Sequence, residues 1–210
     1  MNGGEEMYST IRTIIFIIIL IIFLVICKRK KKKIKRNTAI IFVIIWGVIL
    51  SLSYFLSVEN LFYTFKTPEK VFEYMSKGEI LGIVDGKDSS LGLTVIDNST
   101  TSCMIAIKSE NGWKIGNSLF LKHALISDCD GISIIVYKYK EEYYVTLFYR
   151  ANTENKKIYN IYDNKDSQFE QFSRKLDNES TYYEYGAYLN SFDSNYTITI
   201  NGKTYKFFNE

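Results

Sequence analysis

The chain has 210 residues and a formal net charge of +3, which is enough length for one ordinary domain and a further module. The charge is unevenly divided. Residues 1–57 carry a net +7 (nine Lys and Arg against two Glu), whereas residues 58–210 carry a net −4 (17 Lys and Arg against 21 Asp and Glu). A nucleic-acid-binding domain would spread basic residues over a folded face, so we expect no nucleic-acid partner. With 17 Tyr, 14 Phe and a single Pro, the composition also argues against disorder.

Two apolar stretches near the N-terminus predict two transmembrane spans, at residues 8–27 and 38–57. The fully apolar part of the first, residues 14–27, would be only about 21 Å long as a helix, short of the ~30 Å hydrocarbon core. Extending it back to Tyr8 gives about 30 Å, and Arg12 then lies near the outer end, where its long stem reaches the headgroups. The second span carries no charge.

The turn between these spans, residues 28–37, is strongly basic and sets the predicted orientation. Under the positive-inside rule the turn is cytoplasmic, so both termini are extracytoplasmic in a multi-pass protein of the cell membrane. We expect the turn to contact anionic lipids, at about 1 kcal/mol per charge, and a docking site for a cytoplasmic partner or a nucleic acid is the alternative. Its basic residues are Lys28, Arg29, Lys30, Lys31, Lys32, Lys33, Lys35 and Arg36.

A processing alternative stays open at the second span. Residues 28–36 followed by residues 38–52 also resemble a signal peptide, with residues 51–53 as the cleavage site. Without cleavage, residues 58–66 form a short juxtamembrane connector, in which aromatic side chains such as Phe62 suit the membrane interface.

Residues 67–210 are predicted to form an extracytoplasmic domain. It is mainly antiparallel β, of the α+β class, with one short N-terminal helix. Thr67 and Pro68 suit the start of that helix and Gly78 suits its end. Residues 164–180 are polar and are predicted as a short helix or a long loop.

Four turns in this domain predict β-hairpins. Three of them contain Asp-Gly or Asn-Gly (residues 85–86, 111–112 and 201–202), which accept the positive φ that tight turns require, and the fourth is residues 140–142. The four hairpins give about eight strands, a number that suits a sandwich or a strongly curled sheet. The paired segments are residues 80–84 with 91–96, 103–108 with 113–115, 132–139 with 143–149, and 197–200 with 204–208.

The residue types argue against common catalytic sites. His123 is the only histidine, which excludes sites that need two histidines, including the commonest zinc arrangements. No nucleophile elbow, phosphate-binding loop or dinucleotide fingerprint is present, so we predict no catalytic, cofactor-binding or metal-binding residues and no enzyme. Two acidic pairs support a hydrolase as the alternative, since paired carboxylates can cleave glycosides. The pairs are Asp85 with Asp88 and Asp128 with Asp130, and the second pair is also a weak calcium candidate.

Two cysteines lie in the predicted outer domain, Cys103 and Cys129. In an oxidising compartment they would form a disulfide, and two buried free thiols are the equally open alternative. A cluster of tyrosines indicates either sheet packing or a contact surface, since Tyr gives a large contact area at low entropy cost. These tyrosines are Tyr182, Tyr183, Tyr185 and Tyr188.

Four short motifs carry a resemblance to a known group of proteins. They are the sequences TPEKVFEY at residues 67–74, GEI at 78–80, DGKD at 85–88 and NGWK at 111–114. The motifs resemble segments of small uncharacterised membrane-anchored or secreted proteins of low-GC Gram-positive bacteria. The resemblance implies an extracytoplasmic location and carries no catalytic residues.

The sequence therefore predicts a membrane-tethered extracytoplasmic binding or protein-interaction module. Its expected partner is an envelope protein, a peptide or a small ligand, because the domain is β-rich and Tyr-rich and has no catalytic constellation. The alternatives are a membrane-tethered, carboxylate-dependent hydrolase acting on envelope material and a scaffold subunit of a membrane complex.

Overall fold

The computed structural model describes the β-rich part of the chain almost throughout. The described residues are 13–14, 16–23, 25, 41–42, 44–49, 57–76, 78–97, 100–152, 160–175 and 180–208. The β-rich part begins with a 3₁₀ turn, Val58–Leu61, and an α-helix, α1 (Pro68–Met75). A second 3₁₀ turn, Ser118–Phe120, lies between the fourth and fifth strands.

Twelve strands follow one another within the described residues. They are β1 (Glu79–Asp85), β2 (Ser89–Asp97), β3 (Thr100–Ser109), β4 (Gly112–Ile115), β5 (Leu121–Cys129), β6 (Ile132–Tyr139), β7 (Glu142–Asn152), β8 (Ile161–Asp163), β9 (Glu170–Lys175), β10 (Ser180–Leu189), β11 (Thr197–Ile200) and β12 (Lys203–Lys206).

These strands form three antiparallel sheets. The first sheet has the order β1-β2-β3-β4, the second β5-β6-β7-β10-β9 and the third β12-β11-β8. Helix α1 packs on one face of the first sheet, and the other face of that sheet packs on the second sheet. The third sheet covers the opposite face of the second sheet. The second sheet is therefore a central layer with both faces covered.

Side-chain alternation along β6 shows how the central layer divides its contacts, since successive residues of a strand point to opposite faces. Ile134 and Val136 pack in the core that the second and third sheets share. Tyr137 and Tyr139 pack in the core between the second and first sheets. Burying both faces of one sheet in this way explains why a chain of this size needs so many aromatic residues.

The four predicted hairpins are confirmed, because β1 with β2, β3 with β4, β6 with β7 and β11 with β12 all pair antiparallel. In the last turn Asn201 and Gly202 have φ values of 50° and 82°, as a two-residue turn of this kind requires. Gly86 has another reason to be glycine. An added Cβ there would collide with the Tyr144 hydroxyl of the second sheet.

Helix α1 begins at the predicted proline and ends at Met75, three residues before the predicted Gly78. Its apolar stripe covers the first sheet, where Val71 and Phe72 are fully buried. The Phe72 ring fits there because the strand opposite carries Gly92, at which an added Cβ would lie 2.7 Å from the ring. Any side chain at this position would therefore push the helix away from the sheet.

Four strands were missed by the sequence patterns, namely β5, β8, β9 and β10. Residues 164–180 contain no helix among their described positions and instead include β9. β5 is interrupted by a register shift between His123 and Leu125, which breaks the alternation that would identify a strand.

The helical residues described ahead of residue 57 fall in two stretches that contact each other. Phe16 meets Trp46 with ring centroids 5.5 Å apart, and Phe23 stacks on Phe42 at 3.7 Å. No helix among the described residues is long and apolar enough to cross a membrane.

The predicted transmembrane spans at residues 8–27 and 38–57 are therefore wrong. The multi-pass localisation with both termini extracytoplasmic depended on those spans and is wrong with them. The basic turn, residues 28–37, lies outside the described residues, and so do all eight of its predicted lipid-contacting side chains. The antiparallel β part of the fold prediction agrees with the structure.

Candidate functional site

Five large apolar side chains are exposed on the two 3₁₀ turns and the residues beside them. The exposed fraction is 77% for Leu61, 83% for Phe62, and 60% for each of Tyr63, Leu119 and Phe120. We call these five residues the apolar surface. Single exposed apolar residues are ordinary on proteins, but a group of them marks an interaction site.

Hydrogen bonds hold the first 3₁₀ turn against β4. The Asn60 side-chain amide donates to the Ile115 carbonyl at 2.8 Å, and its Oδ1 accepts from the Ile115 N–H at 2.9 Å. Phe65 and Trp113 exchange two backbone hydrogen bonds of 2.7 Å. The segment before α1 therefore runs along β4 and covers that edge of the first sheet.

The second 3₁₀ turn follows β4 along the chain. Asn117 caps it, since its Oδ1 accepts from the Leu119 N–H at 3.0 Å. Leu119 comes four residues after Ile115, so the two Cα atoms are at most about 15 Å apart. Both turns therefore lie within about 15 Å of the C-terminal end of β4, which places the five side chains of the apolar surface at one end of the first sheet.

The apolar surface continues into an edge strand. β5 begins directly after Phe120, and among the described strands its only partner is β6. An edge strand presents unpaired backbone N–H and C=O groups along one side. Ile126 in β5 is 64% exposed, and Lys122 is also exposed. An extended peptide segment can add to an edge of this kind.

The two acidic pairs lie at opposite ends of the second sheet. Asp85 and Asp88 belong to the β1–β2 turn, which contacts Glu142 at the start of β7. Asp128 and Asp130 lie at the β5–β6 turn, at the far end of β6. The length of β6 separates these ends by about 26 Å. The pairs cannot act together, because the two carboxyl groups of a glycosidase lie within about 10 Å of each other.

Asp130 instead links the second and third sheets. Its carboxylate accepts hydrogen bonds from Lys203 Nζ at 2.6 Å and Tyr205 Oη at 2.7 Å, both on β12. Burial and the hydrogen bond to Asp130 raise the pKa of Tyr205 to about 12. These two hydrogen bonds connect the second and third sheets through the Asp130 carboxylate.

A buried carboxylate, Glu142, anchors the first sheet on the second. Its Oε1 accepts from the backbone N–H groups of Lys87 at 2.6 Å and Asp88 at 2.8 Å. Its Oε2 accepts from Ser89 Oγ, which lies 2.7 Å from Tyr144 Oη. Burial raises the pKa of Tyr144. These buried groups satisfy one another's hydrogen bonds at the contact between the two sheets, so we assign the network a structural role.

A second buried carboxylate, Glu184 of β10, has a different environment. Its side chain is 1% exposed, and Oε2 has no hydrogen-bond partner. Burial raises the pKa of this carboxyl group to about 7. Nothing in the sequence pattern marked this residue, because a Glu between two tyrosines reads as the solvent-facing position of a strand.

Of the two alternatives for Cys103 and Cys129, the structure has free thiols at both positions. Cys103 packs in the core between the first and second sheets, whereas Cys129 packs against the core between the second and third. The two thiols therefore belong to different layers. Burial raises the pKa of Cys103 to about 12, which makes it unreactive in the folded state.

The remaining candidates occupy structural positions. His123 is exposed on β5, with its ring 5.1 Å from that of Tyr137. Within the described ranges, no three His, Cys, Asp or Glu side chains are grouped to hold a metal ion. In the tyrosine cluster, Tyr185 is buried and Tyr183 stacks on Tyr149 at 5.3 Å, so these tyrosines pack the sheet.

Sequence reasoning identified Phe62 as an interfacial aromatic residue but missed Leu119 and Phe120. The available signal was a run of apolar residues directly after the Gly116-Asn117 turn. No protein-family model matches the chain, and no curated protein or solved structure matches it either.

Proposed function

We propose that the chain is a protein-binding module and that the apolar surface is its contact site. The observation that carries this proposal is the group of five exposed large apolar side chains on two turns held at one end of β4. Three of the five are aromatic, the residue class that most often anchors protein interfaces.

The geometry favours a protein partner over a small ligand. Small molecules bind in concave sites that enclose most of their surface. The side chains of the apolar surface are instead 60% to 83% exposed, which is little enclosure for a small ligand. The unpaired edge of β5 lies directly after it and offers backbone hydrogen bonds that an extended segment of a partner would use.

Site-specific photo-crosslinking in the source cells tests this proposal. A photoreactive residue is placed at Phe62, at Phe120 or at Tyr162 in the full chain. Tyr162 is the matched control because it is an aromatic residue that is 51% exposed but lies on β8 of the third sheet. We expect an adduct of one defined mass at the first two positions and none at the control.

A second substitution shows whether the adduct depends on the surface. F120S should remove most of the adduct formed from position 62, because the two side chains share one interface. The same adducts at all three positions, or none at any of them, would contradict the proposed function. Both residues are exposed, so these variants should keep the stability of the wild type within about 0.5 kcal/mol.

A further inference from the structure

The core between the first and second sheets encloses the Glu184 carboxylate among apolar groups. Its cross-strand neighbours are Phe148 on β7 and Phe172 on β9. The Phe172 ring fills the space over Gly82 of β1, where an added Cβ would collide with it, and lies close to Gly186 of β10, where an added Cβ would collide with Val84. Glu184 is therefore flanked on both neighbouring strands by phenylalanine, and among the described residues no group hydrogen-bonds to its Oε2.

Two titratable groups among the described side chains lie near Glu184, and neither supplies a compensating positive charge. Cys103 on β3 and Tyr137 on β6 hydrogen-bond to each other across the two sheets, and the charge of Glu184 contributes to raising the pKa of both. Both groups therefore stay neutral at physiological pH. From β1, the residues packed in this core are Leu81 and Val84, which are apolar.

Two arginines occupy nearby register positions on the neighbouring strands. Arg150 of β7 and Arg174 of β9 both pair with Tyr182, two residues along β10 from Glu184. The pKa of Glu184 is nevertheless raised, and burial is the cause. Loss of water around the carboxylate is therefore the dominant influence on the pKa of Glu184.

We propose that Glu184 is a proton-dependent latch between the first and second sheets. With its proton, the neutral side chain stays in the core and the sheets remain packed. When the proton leaves, the carboxylate is buried away from water, and among the described residues its Oε2 has no hydrogen-bond partner. Separation of the two sheets returns the carboxylate to water and so becomes more favourable. This inference does not depend on the proposed function.

The latch would act in the neutral pH range, because burial raises the pKa of Glu184 from 4.5 to about 7. Separation of the two sheets would also move the two 3₁₀ turns of the apolar surface relative to each other. The first 3₁₀ turn is fixed to β4 of the first sheet, and the second leads into β5 of the second sheet. Packing of the two sheets thus fixes the position of one turn of the apolar surface relative to the other.

The reactivity of Cys103 reports the separation, since its thiol lies in the same core. The full chain is treated with a small thiol reagent, and labelling of Cys103 is followed by peptide mass spectrometry in the wild type and in E184Q. We expect the ratio of wild-type to variant labelling rates to rise about 30-fold between about pH 5.5 and about pH 8. This factor follows from a pKa of about 7 in the packed state and 4.5 in the separated state.

The direction of the change distinguishes the latch from a direct electrostatic effect. If the sheets stay packed, ionised Glu184 raises the pKa of Cys103 and slows its labelling, so the ratio falls with pH. A falling or constant ratio would overturn the proposal.

Cys129 in the same samples is the internal reference, because it packs on the other face of the second sheet. A rise at Cys129 equal to that at Cys103 would indicate global unfolding and would also overturn the latch. E184L provides the same comparison if E184Q folds poorly, and the expected ratio is the same.

Discussion

Two buried glutamates face the same way from neighbouring strands of the second sheet, but the structure accommodates them differently. Glu142 lies at the start of β7, and Glu184 lies opposite Phe148, six residues further along that strand. The two positions are therefore about 20 Å apart on one face. Glu142 accepts two backbone N–H groups and the Ser89 hydroxyl, whereas Glu184 Oε2 has no partner.

The difference shows two ways in which one fold can bury a carboxylate. At Glu142 the carboxylate oxygens accept from hydrogen-bond donors that are themselves fixed, such as the N–H groups of a tight turn. Phenyl rings offer no such donors, so the side chain at Glu184 is accommodated by holding a proton. We expect removal of the first carboxylate to destabilise the fold and removal of the second to stabilise it at alkaline pH.

The largest effect is expected from E142A. The substitution leaves the N–H groups of Lys87 and Asp88 and the Ser89 hydroxyl without their acceptor at the interface of two sheets. We expect the free energy of unfolding to fall by about 4 kcal/mol, as when a buried partner is removed from a hydrogen-bonded charge. Urea unfolding at neutral pH measures it.

The neighbouring E141A is the control for this comparison. Glu141 is exposed in the same turn, so its substitution should change the free energy of unfolding by less than about 0.5 kcal/mol. Equal losses in the two variants would show that the turn is sensitive to any substitution and that the hydrogen bonds of Glu142 are unimportant.

The second effect concerns the pH dependence that Glu184 imposes. Its pKa is raised from 4.5 to about 7 on folding, so the folded state binds more protons than the unfolded state between these values. The free energy of unfolding should therefore fall as the pH rises from about 4.5 to 7, by about 3 kcal/mol, and then level off.

E184L isolates this contribution from those of other groups. The difference between the unfolding free energies of E184L and the wild type should grow over the same pH range, because the variant has no proton to lose. Replacing a buried polar group by an apolar one of similar size is commonly neutral or stabilising. A constant difference from about pH 4.5 to 8 in urea titrations would refute the prediction.

Local turn chemistry was the part of this fold that sequence reasoning predicted well. The Asn201-Gly202 turn depends on positive φ at two adjacent residues, and such a preference is visible in any sequence. The start of α1 depends likewise on a proline at its first position. Strands β9 and β10 are different. They are held by pairing with each other and with β7, which is distant along the chain.

The two glutamates show why the candidate residues of the core were not predictable. Alternation in Tyr183-Glu184-Tyr185 indicates one buried and one solvent-facing side, which would expose the Glu. The first sheet covers that side of β10, and the local sequence of β10 gives no sign that another sheet will pack there. The membrane prediction failed for the opposite reason. It took the length of two apolar runs, residues 8–27 and 38–57, as the length of two helices, whereas no helix among the described residues is long and apolar enough to cross a membrane.

The smallest effect is expected from S89A. The variant removes one donor from Glu142 and leaves its two backbone donors in place, so the free energy of unfolding should fall by only about 1 kcal/mol.

Double-mutant cycles then sharpen the contrast between the two glutamates. S89A should lower the free energy of unfolding less in the E142A background than in the wild type, because the partner of the Ser89 hydroxyl is already gone. The effects of S89A and E184Q on the free energy of unfolding should instead add to within about 0.5 kcal/mol, since distant sites without shared partners are independent. If the coupling energy between S89A and E184Q were as large as that between S89A and E142A, the two carboxylates would belong to one network. The contrast between Glu142 and Glu184 would then be refuted.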